Sequence, residues 1–308
     1  MDGSYLAELL LEKGHEVYGL LRRCSNRNTQ RIEHLLDYIK LVSGDVTDQS
    51  SLDGAMEEVK PDLIFHLAAQ SHVQVSWQQP ELTGNVTGLG TLRMLEAMRK
   101  YAPDAKFYNA ASSEMFGKVQ ETPQKETTPF YPRSPYGCAK VFGFNVTRNY
   151  RESFDLFACS GICFNHEGTR RAETFVTKKI AMGVARIKHG LQSHLELGNL
   201  EAQRDWSHAK DVVAGMALML EQSMPDDFIL ASGETHSIRE FLDIAFQIVG
   251  IKDWAPFVKF NPAFMRPAEV DVLLGDPSKA HRVLGWKREY SFTDVVSDMT
   301  TYELAKLL

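Results

Sequence analysis

Short apolar runs that alternate with helix-like stretches most constrain the fold of this 308-residue chain. Five of these runs have the length and composition of buried strands, and they read "EVYGLL", "IKLVSGD", "DLIFHLAA", "KFYNAASS" and "LFACSGICFN". Strands that alternate with helices in this way favour a parallel sheet with helices on both faces. The sequence therefore predicts an α/β fold with a doubly wound parallel sheet.

The pattern changes after about residue 166, where a basic loop leads into a helix and then into shorter, mixed elements. We predict a first domain over residues 1–165, to which the chain returns around 205–232, and a smaller mixed α/β lobe over 166–308. Open α/β sheets bind ligands at the carboxyl ends of their strands. We therefore expect the functional site in the cleft between the sheet and the smaller lobe.

Composition argues against several classes of protein. The net charge is −6, whereas a nucleic-acid-binding protein presents a basic surface. No apolar run approaches the roughly 20 residues that span a bilayer, and no secretory signal is recognisable, so we expect a cytoplasmic protein without a membrane partner. The four cysteines are scattered and suggest no disulfide framework, and we predict no metal site.

The spacing of Tyr136 and Lys140, four residues apart, is the first indication of chemistry. On a helix these side chains share one face, and a nearby cation favours the phenolate and lowers the pKa of a tyrosine. Tyr136 is therefore a candidate base at an alcohol carbon, although such a pair also occurs by chance. Ser112 and Glu114 stand at the end of the preceding strand and can reach the same cleft. Taken alone, Glu114 would be interpreted as a surface or helix-start carboxylate.

Longer blocks around these residues resemble the GDP-mannose 4,6-dehydratase family, which belongs to the extended short-chain dehydrogenases/reductases. The blocks are "SSEMFGKVQETPQKETTPFYPRSPYGCAK", "NYRESFDLFACSGICFNHEGTRRAETFVTKKI", "LGNLEAQRDWSHAKD" and "RPAEVDVLLGDPSKAHRVLGW". The resemblance covers nearly the whole chain. It implies a Rossmann domain over 1–165 that binds NADP, and a lobe over 166–308 that mainly binds a nucleotide sugar.

The resemblance also implies a reaction, the dehydration of GDP-mannose to GDP-4-keto-6-deoxymannose with a tightly held NADP. Tyr136 would remove the proton of the C4 hydroxyl while hydride passes from C4 to the nicotinamide. Lys140 would lower the pKa of Tyr136 and bind the nicotinamide ribose, and Ser112, where relatives usually have threonine, would hydrogen-bond the O4 region. Glu114 would take the C5 proton, which the new ketone acidifies, and assist loss of the C6 hydroxyl as water. Hydride would then return to C6.

Further residues match positions that contact the cofactor in the family. They are Asp2 and Gly3 at the phosphate turn, Arg22, Arg23 and Ser25 after the second strand, and Asp45, Val46, Leu67, Ala68, Ala69, Gln70, Ser71, His166 and Arg171. An arginine at position 22 suits a 2′-phosphate, and it therefore favours NADP over NAD. The segment 22–31 is alternatively a solvated basic loop. In relatives it reaches a neighbouring subunit, so we expect a homotetramer or dimer with this loop at the interface.

Other residues match positions that hold the substrate in the family, and they are Ser112, Glu114, Asn165, Lys179, Arg204, Arg266 and Glu269. Arg204 and Arg266 are the expected diphosphate ligands, because planar guanidinium groups suit phosphate oxygens. Glu269 is expected at the nucleoside ribose and Lys179 at the guanine. Each of these, taken singly, is equally a surface charge.

The segment "MDGSYLAELLLEKG" belongs to the same resemblance. In the family it follows an apolar strand and a Gly-x-x-Gly-x-x-Gly turn, of which Gly3 is present here. That strand would be central in the sheet, and its removal would leave two neighbouring strands with unpaired backbone groups. We therefore expect a true start upstream of Met1; the alternative is a chain that has lost dehydratase activity.

Two other functions remain open. A related sugar-nucleotide epimerase or 4-reductase would keep Tyr136 and Lys140 but needs no carboxylate at position 114, so Glu114 favours elimination. The third hypothesis is a catalytically inactive subunit that binds a nucleotide sugar or a sister enzyme. The intact set of Ser112, Glu114, Tyr136 and Lys140 argues against it, while the incomplete glycine turn argues for it.

Overall fold

A computed structural model of the chain describes residues 1–25, 28–264 and 272–308. The α-helices in these ranges are α1 (Asp2–Glu12), α2 (Gln49–Val59), α3 (Val73–Gln78), α4 (Pro80–Thr83), α5 (Gly90–Tyr101), α6 (Pro135–Phe154), α7 (Val176–Lys188), α8 (Ala209–Glu221), α9 (Ile238–Ile248), α10 (Ser278–Leu284) and α11 (Phe292–Ala305). The strands are β1 (Tyr18–Leu21), β2 (Lys40–Ser43), β3 (Leu63–His66), β4 (Lys106–Ser112), β5 (Ala158–Cys163), β6 (Asn165–Glu167), β7 (Leu195–Leu197), β8 (Gln203–Arg204), β9 (Trp206–His208), β10 (Phe228–Leu230), β11 (His236–Ser237), β12 (Val258–Phe260) and β13 (Val272–Leu273).

The main sheet contains four parallel strands in the order β10-β5-β4-β3. All six residues of β5 are buried, as expected for a parallel strand that is covered on both faces. Successive residues of a strand point to opposite faces. Accordingly, Phe107 of β4 packs in one apolar cluster with α2 and α5, and Tyr108 packs in another with α1 and α8. The predicted α/β fold with a doubly wound parallel sheet is confirmed.

A second, two-stranded sheet contains β1 and β2. These strands pair in parallel, with Tyr18 opposite Lys40 and Leu21 opposite Ser43. Among the described residues, no strand pairs with the remaining edge of β1 or with the outer edge of β3.

The smaller lobe has its own apolar core. Helices α7, α9 and α11 surround Trp206, whose ring stacks on Phe292 at a centroid distance of 5.6 Å. From this lobe the chain returns to the main sheet at β10, which pairs with β5. Within the described residues, no helix combines the length and the apolar character that crossing a bilayer requires. The domain boundaries at 165 and 166 stay a prediction.

Candidate active site

Glu114 lies on a tight turn at the carboxyl end of β4. The strand ends at Ser112, whose Oγ accepts a hydrogen bond from the backbone N–H of Glu114 at 3.3 Å and so begins a 3-10 turn over Ser113–Met115. This cap turns the chain away from the strand direction at the carboxyl end of β4. As a result, Ser112 and Glu114 stand together where open α/β sheets bind their ligands.

Tyr136 lies in the first turn of α6, which packs directly on that 3-10 turn. The helix begins after Ser134, whose Oγ accepts from the backbone N–H of Gly137 at 3.0 Å. A Cβ at position 137 would lie 2.7 Å from the carbonyl oxygen of Glu114. Only glycine fits such a close backbone approach. Sequence reasoning overlooked Gly137, although it stands between the two residues of the Tyr-Lys pair.

The phenol of Tyr136 is buried and lies beside Ser112. Burial raises the pKa of Tyr136 above its ordinary value, while the hydroxyl of Ser112 opposes this rise and the charge of Glu114 adds to it. The expectation that Lys140 lowers this pKa is therefore wrong for the chain alone. Desolvation penalises the phenolate, and the ammonium of Lys140 donates instead to the carbonyl of Ala110 at 2.5 Å, with Nζ 5.8 Å from the centre of the Tyr136 ring.

Lys140 is itself buried, and burial lowers its pKa to about 8, although Cys163 and Asp2 favour the charged form. His66 at the end of β3 lies nearby, and burial together with the Lys140 charge lowers the pKa of His66 to about 3. This imidazole is therefore neutral at physiological pH. It stacks on Phe107 at 6.0 Å, and its Nε2 has no hydrogen-bond partner among the described residues. The sequence analysis overlooked His66, whose only signal was a histidine at the end of an apolar strand.

Several predicted cofactor residues lie together at the start of α1. Asp2 Oδ2 lies 3.1 Å from His166 Nε2, and the Nδ1 of His166 donates to the carbonyl of Phe164 at 2.8 Å. Although burial opposes ionisation, His166 holds the pKa of Asp2 well below its ordinary value, and Asp2 in turn raises the pKa of His166. Arg171 pairs with the buried Glu167 at 3.1 Å. Gly3 lies opposite Leu67, so the helix start faces the loop that follows β3.

Arg22 and Arg23 line a cavity at the carboxyl ends of β1 and β2. Its volume is about 280 Å³, and its other lining residues are Leu21, Cys24 and Ser43. Ser25 follows Cys24 in the chain. The structure thus places both predicted arginines at one concave surface.

The remaining predicted cofactor residues lie on two loops. After β2, Asp45 caps its own turn by accepting from the backbone N–H of Thr47 at 2.9 Å, and the carbonyl of Val46 accepts from Arg93 at 3.0 Å. After β3 comes the loop of Leu67, Ala68, Ala69, Gln70 and Ser71.

Two buried threonines hold the loop after β3. The backbone N–H of Gln70 donates to Thr87 Oγ1 at 3.1 Å, and its amide donates to Thr83 Oγ1 at 3.0 Å. Thr87 lies in a π-helical segment, Gly84–Leu89, and π-helical turns are frequent at functional sites. Neither threonine was predicted, because only the folded backbone brings them to Gln70.

The described substrate residues lie on the smaller lobe and at its junction with the sheet. Arg204 on β8 is buried and donates from Nη1 to the carbonyl of Gln203 at 2.7 Å. Asn165 on β6 lies opposite Trp206 of β9. Lys179 donates to the carbonyl of Glu196 at 2.6 Å and lies 3.5 Å from the centre of the Phe264 ring. Arg266 and Glu269 lie outside the described residues.

Metal chemistry finds no support in the described part of the chain, where no group of three or more His, Cys, Asp or Glu side chains could hold an ion. The candidate site is therefore built from one hydroxyl, one carboxylate, one phenol and one ammonium group. Such a set can transfer protons at adjacent carbons of a polar substrate.

A sequence model of the family described as GDP-mannose 4,6 dehydratase matches residues 1–299. The chain belongs to this family. The GDP-mannose 4,6-dehydratase of Vibrio cholerae serotype O1 is 48% identical over 338 residues, covering 98% of this chain and 91% of the relative. GDP-mannose 4,6 dehydratase 2 of Arabidopsis thaliana is 50% identical over 315 residues, covering 98% of this chain and 84% of the relative.

Solved structures share the fold over the whole chain. The structure of RMD from Pseudomonas aeruginosa complexed with NADPH has a TM-score of 0.82 at 24% identity, covering 99% of this chain and 96% of that one. UDP-glucose 4-epimerase of Thermus thermophilus in complex with NAD has a TM-score of 0.85 at 26% identity, covering 98% and 96%. These enzymes are neighbours in fold, whereas the family membership rests on the sequence relatives.

Proposed function

We propose that this protein is a hydro-lyase that converts GDP-mannose to GDP-4-keto-6-deoxymannose. The observation that carries the proposal is the contact between the two catalytic elements. The first turn of α6 places Tyr136 beside Ser112 and packs Gly137 on the backbone of Glu114. A phenol and a carboxylate on adjoining turns suit proton removal at two neighbouring carbons. Membership of the GDP-mannose 4,6-dehydratase family gives the substrate.

The cofactor proposed here is NADP. The start of α1 offers backbone N–H groups to an anion, and the cavity with Arg22 and Arg23 suits a phosphate. The fold neighbour RMD was solved with NADPH. When bound, NADP would supply the hydride acceptor for C4 and the hydride donor for C6. Asp2, Gly3, the loop 67–71, His166 and Arg171 are the proposed contacts of its diphosphate and ribose groups.

The chain's own groups move the protons. Tyr136 takes the proton of the C4 hydroxyl, while Ser112 holds the C4 oxygen by a hydrogen bond. With a pKa of about 8, Lys140 is largely charged at pH 7, and its ammonium group is the proposed contact of the nicotinamide ribose. Glu114 then accepts the C5 proton, which the C4 ketone has acidified, and returns it to the C6 hydroxyl as this leaves as water.

Arg204 and Lys179, together with Asn165, Arg266 and Glu269, are the proposed contacts of the nucleotide sugar. Among the residues that the structure describes, Arg204 is the best candidate for the diphosphate, because it is buried and has a planar guanidinium group. Lys179 lies against Phe264, at the start of the segment that holds Arg266 and Glu269.

The assembly and the location complete the proposal. A homotetramer or dimer with the 22–31 loop at its interface rests on the family resemblance alone; within the chain, Arg31 at the end of this loop donates to the carbonyl of Arg170 at 2.8 Å. Sedimentation of the purified chain tests the assembly. The cytoplasmic location rests on the sequence alone, and microscopy of the tagged full chain tests it.

The decisive experiment incubates the purified protein with GDP-mannose and NADP and analyses the product by mass spectrometry. A product that is lighter by one water and carries a ketone at C4 supports the dehydratase. A C4 epimer of unchanged mass would instead support the epimerase, and reduction of a supplied 4-keto sugar nucleotide by NADPH, without dehydration of GDP-mannose, would support the 4-reductase. Unchanged GDP-mannose that still binds to the protein would support the inactive subunit.

A further inference from the structure

Residues 117–134 form a loop that connects the two catalytic elements, because it begins after Glu114 and ends before Tyr136. Its base is closed by two backbone bonds: Lys118 N–H donates to the carbonyl of Tyr131 at 2.9 Å, and Tyr131 N–H donates to that of Met115 at 3.1 Å. The loop is therefore fixed at its base to the turn that carries Glu114. A displacement of its distal part therefore also displaces both catalytic elements.

Gln124 is the fully buried polar residue in the distal part of this loop. Its side-chain Oε1 accepts from the backbone N–H of Leu274 at 3.0 Å, and its Nε2 donates to the carbonyl of Glu121 at 2.9 Å. Its backbone N–H donates to the carbonyl of Leu274 at 2.8 Å, and its carbonyl accepts from Asp276 at 2.8 Å. Three of these four bonds join the loop to residues 274–276.

Residues 274–276 continue β13, which pairs with the strand that carries Arg204. Leu273 lies opposite Arg204 in the parallel pair of β13 and β8. The backbone N–H of Asp205 donates to the carbonyl of Leu273 at 3.1 Å, and the carboxylate of Asp205 accepts from Gly275 N–H at 3.3 Å. Asp205 is fully buried and also accepts from Ser232 and Gly233. These hydrogen bonds therefore connect Gln124, through residues 273–275, with Asp205 directly after β8.

We propose that Gln124 is a positioning residue that fixes the substrate-binding strand β8 relative to the catalytic loop. It contacts no reacting atom, and it acts through Leu274 and Asp205 on the placement of Arg204. The inference rests on the proposed function for the identity of the substrate, because it assigns Arg204 to the diphosphate. Loss of the Gln124 side-chain hydrogen bonds lowers the affinity for the nucleotide sugar more than it slows proton transfer by Tyr136 and Glu114.

The same loop contains a matched control. Glu126 is half-buried, and its Oε1 accepts from the backbone N–H of Ile229 in β10 at 2.9 Å. It therefore anchors the loop to the main sheet and not to residues 274–276. Replacement of either side chain by methionine keeps most of its volume and removes the side-chain hydrogen bond that joins the loop to Leu274 or to Ile229, respectively.

The test compares Gln124→Met and Glu126→Met with the parent enzyme in steady-state kinetics, GDP binding and hydrogen exchange. For Gln124→Met we expect KM for GDP-mannose and Kd for GDP to rise about tenfold while kcat changes less than about threefold. Amide exchange should accelerate at residues 203–206 and 274–276. For Glu126→Met, KM should stay within about twofold of the parent, and faster exchange should be confined to residues 228–230.

Equal increases in KM for the two variants, or unchanged exchange at 203–206 in Gln124→Met, would overturn the proposal, since Gln124 would then only stabilise the loop. If Gln124→Met does not fold, Gln124→Leu replaces it, because leucine likewise removes the Oε1 acceptor for Leu274. A parent enzyme that does not convert GDP-mannose would refute the proposed function alone. In that case the GDP affinity and the exchange at 203–206 still decide the role of Gln124.

Discussion

The two parallel sheets of this molecule differ in how completely they are covered. In the main sheet, β5 is buried at every residue and β10 is buried likewise. In the two-stranded sheet, Tyr18 and Leu20 of β1 are 38% and 41% exposed, and the buried core beside them consists of Ala7, Leu35 and Ile39. The proposed catalytic side chains follow strands of the first sheet, whereas the cavity of Arg22 and Arg23, the proposed contact of the 2′-phosphate, lies on the second. The proposed chemistry and this part of the proposed cofactor site therefore lie on regions that are unequally buried, and substitutions should separate their effects.

The largest expected effect is on turnover and comes from the main sheet. Glu114→Gln removes the carboxylate that accepts the C5 proton, so we expect kcat to fall about 10³-fold, with unchanged affinity for NADPH. Rapid-quench kinetics and a fluorescence titration of NADPH measure the two quantities. A variant that loses NADPH affinity to the same extent would contradict the separation of the two regions.

Stability should show the same contrast with matched leucines. Leu230 of β10 is fully buried, and Leu230→Ala should lower the free energy of unfolding by about 2–5 kcal/mol. Leu20 of β1 is 41% exposed, and Leu20→Ala should cost no more than about 1 kcal/mol. Urea denaturation measures both differences. Equal losses would show that the β1–β2 pair is packed as tightly as the main sheet.

Lys140 provides a pH-dependent test of burial in the main sheet. Burial lowers its folded-state pKa from the ordinary 10.5 to about 8, so folding penalises the charged lysine at neutral pH, and the penalty disappears above the unfolded-state pKa. Lys140→Met removes this penalty. Its stability relative to the parent, without added cofactor, should therefore decline by about 3 kcal/mol between pH 7 and pH 11. A difference in unfolding free energy that is independent of pH would show that Lys140 is solvated.

The smallest effect is expected in the two-stranded sheet. Arg22→Ala removes an exposed guanidinium group from the cavity, so Kd for NADPH should rise about 10- to 100-fold, while Kd for NADH and the unfolding free energy stay unchanged. Parallel titrations with both dinucleotides measure the ratio. Equal losses for the two would remove the assignment of Arg22 to the 2′-phosphate.

The strands of the main sheet could be predicted because each is an unbroken apolar run bounded by polar turns. The helix of Tyr136 and Lys140 was equally readable, with Ser134 as its cap and Pro135 in its first turn. The rise in the pKa of Tyr136 could not be predicted from the sequence in this way. Spacing gives the neighbour of a side chain, whereas desolvation depends on everything packed around it.

The same limit applies to residues that act through distant contacts. Gln124 reads as an ordinary loop residue, and its partners Leu274 and Asp276 lie about 150 residues away in the chain. Thr83 and Thr87 were passed over because only the folded backbone brings their hydroxyl groups to Gln70. Arg266 and Glu269 remain predictions from the family resemblance.

The close approach at Gly137 limits how this site can vary. A methyl group at that position would meet a backbone oxygen of Glu114 at 2.7 Å, and a backbone atom cannot rotate away as a flexible side chain can. Alanine would have to push the start of α6, and Tyr136 with it, away from the carboxylate. The absence of a side chain at Gly137 therefore sets how closely the helix of Tyr136 approaches the turn of Glu114. We expect changes of substrate specificity in the surrounding loops instead.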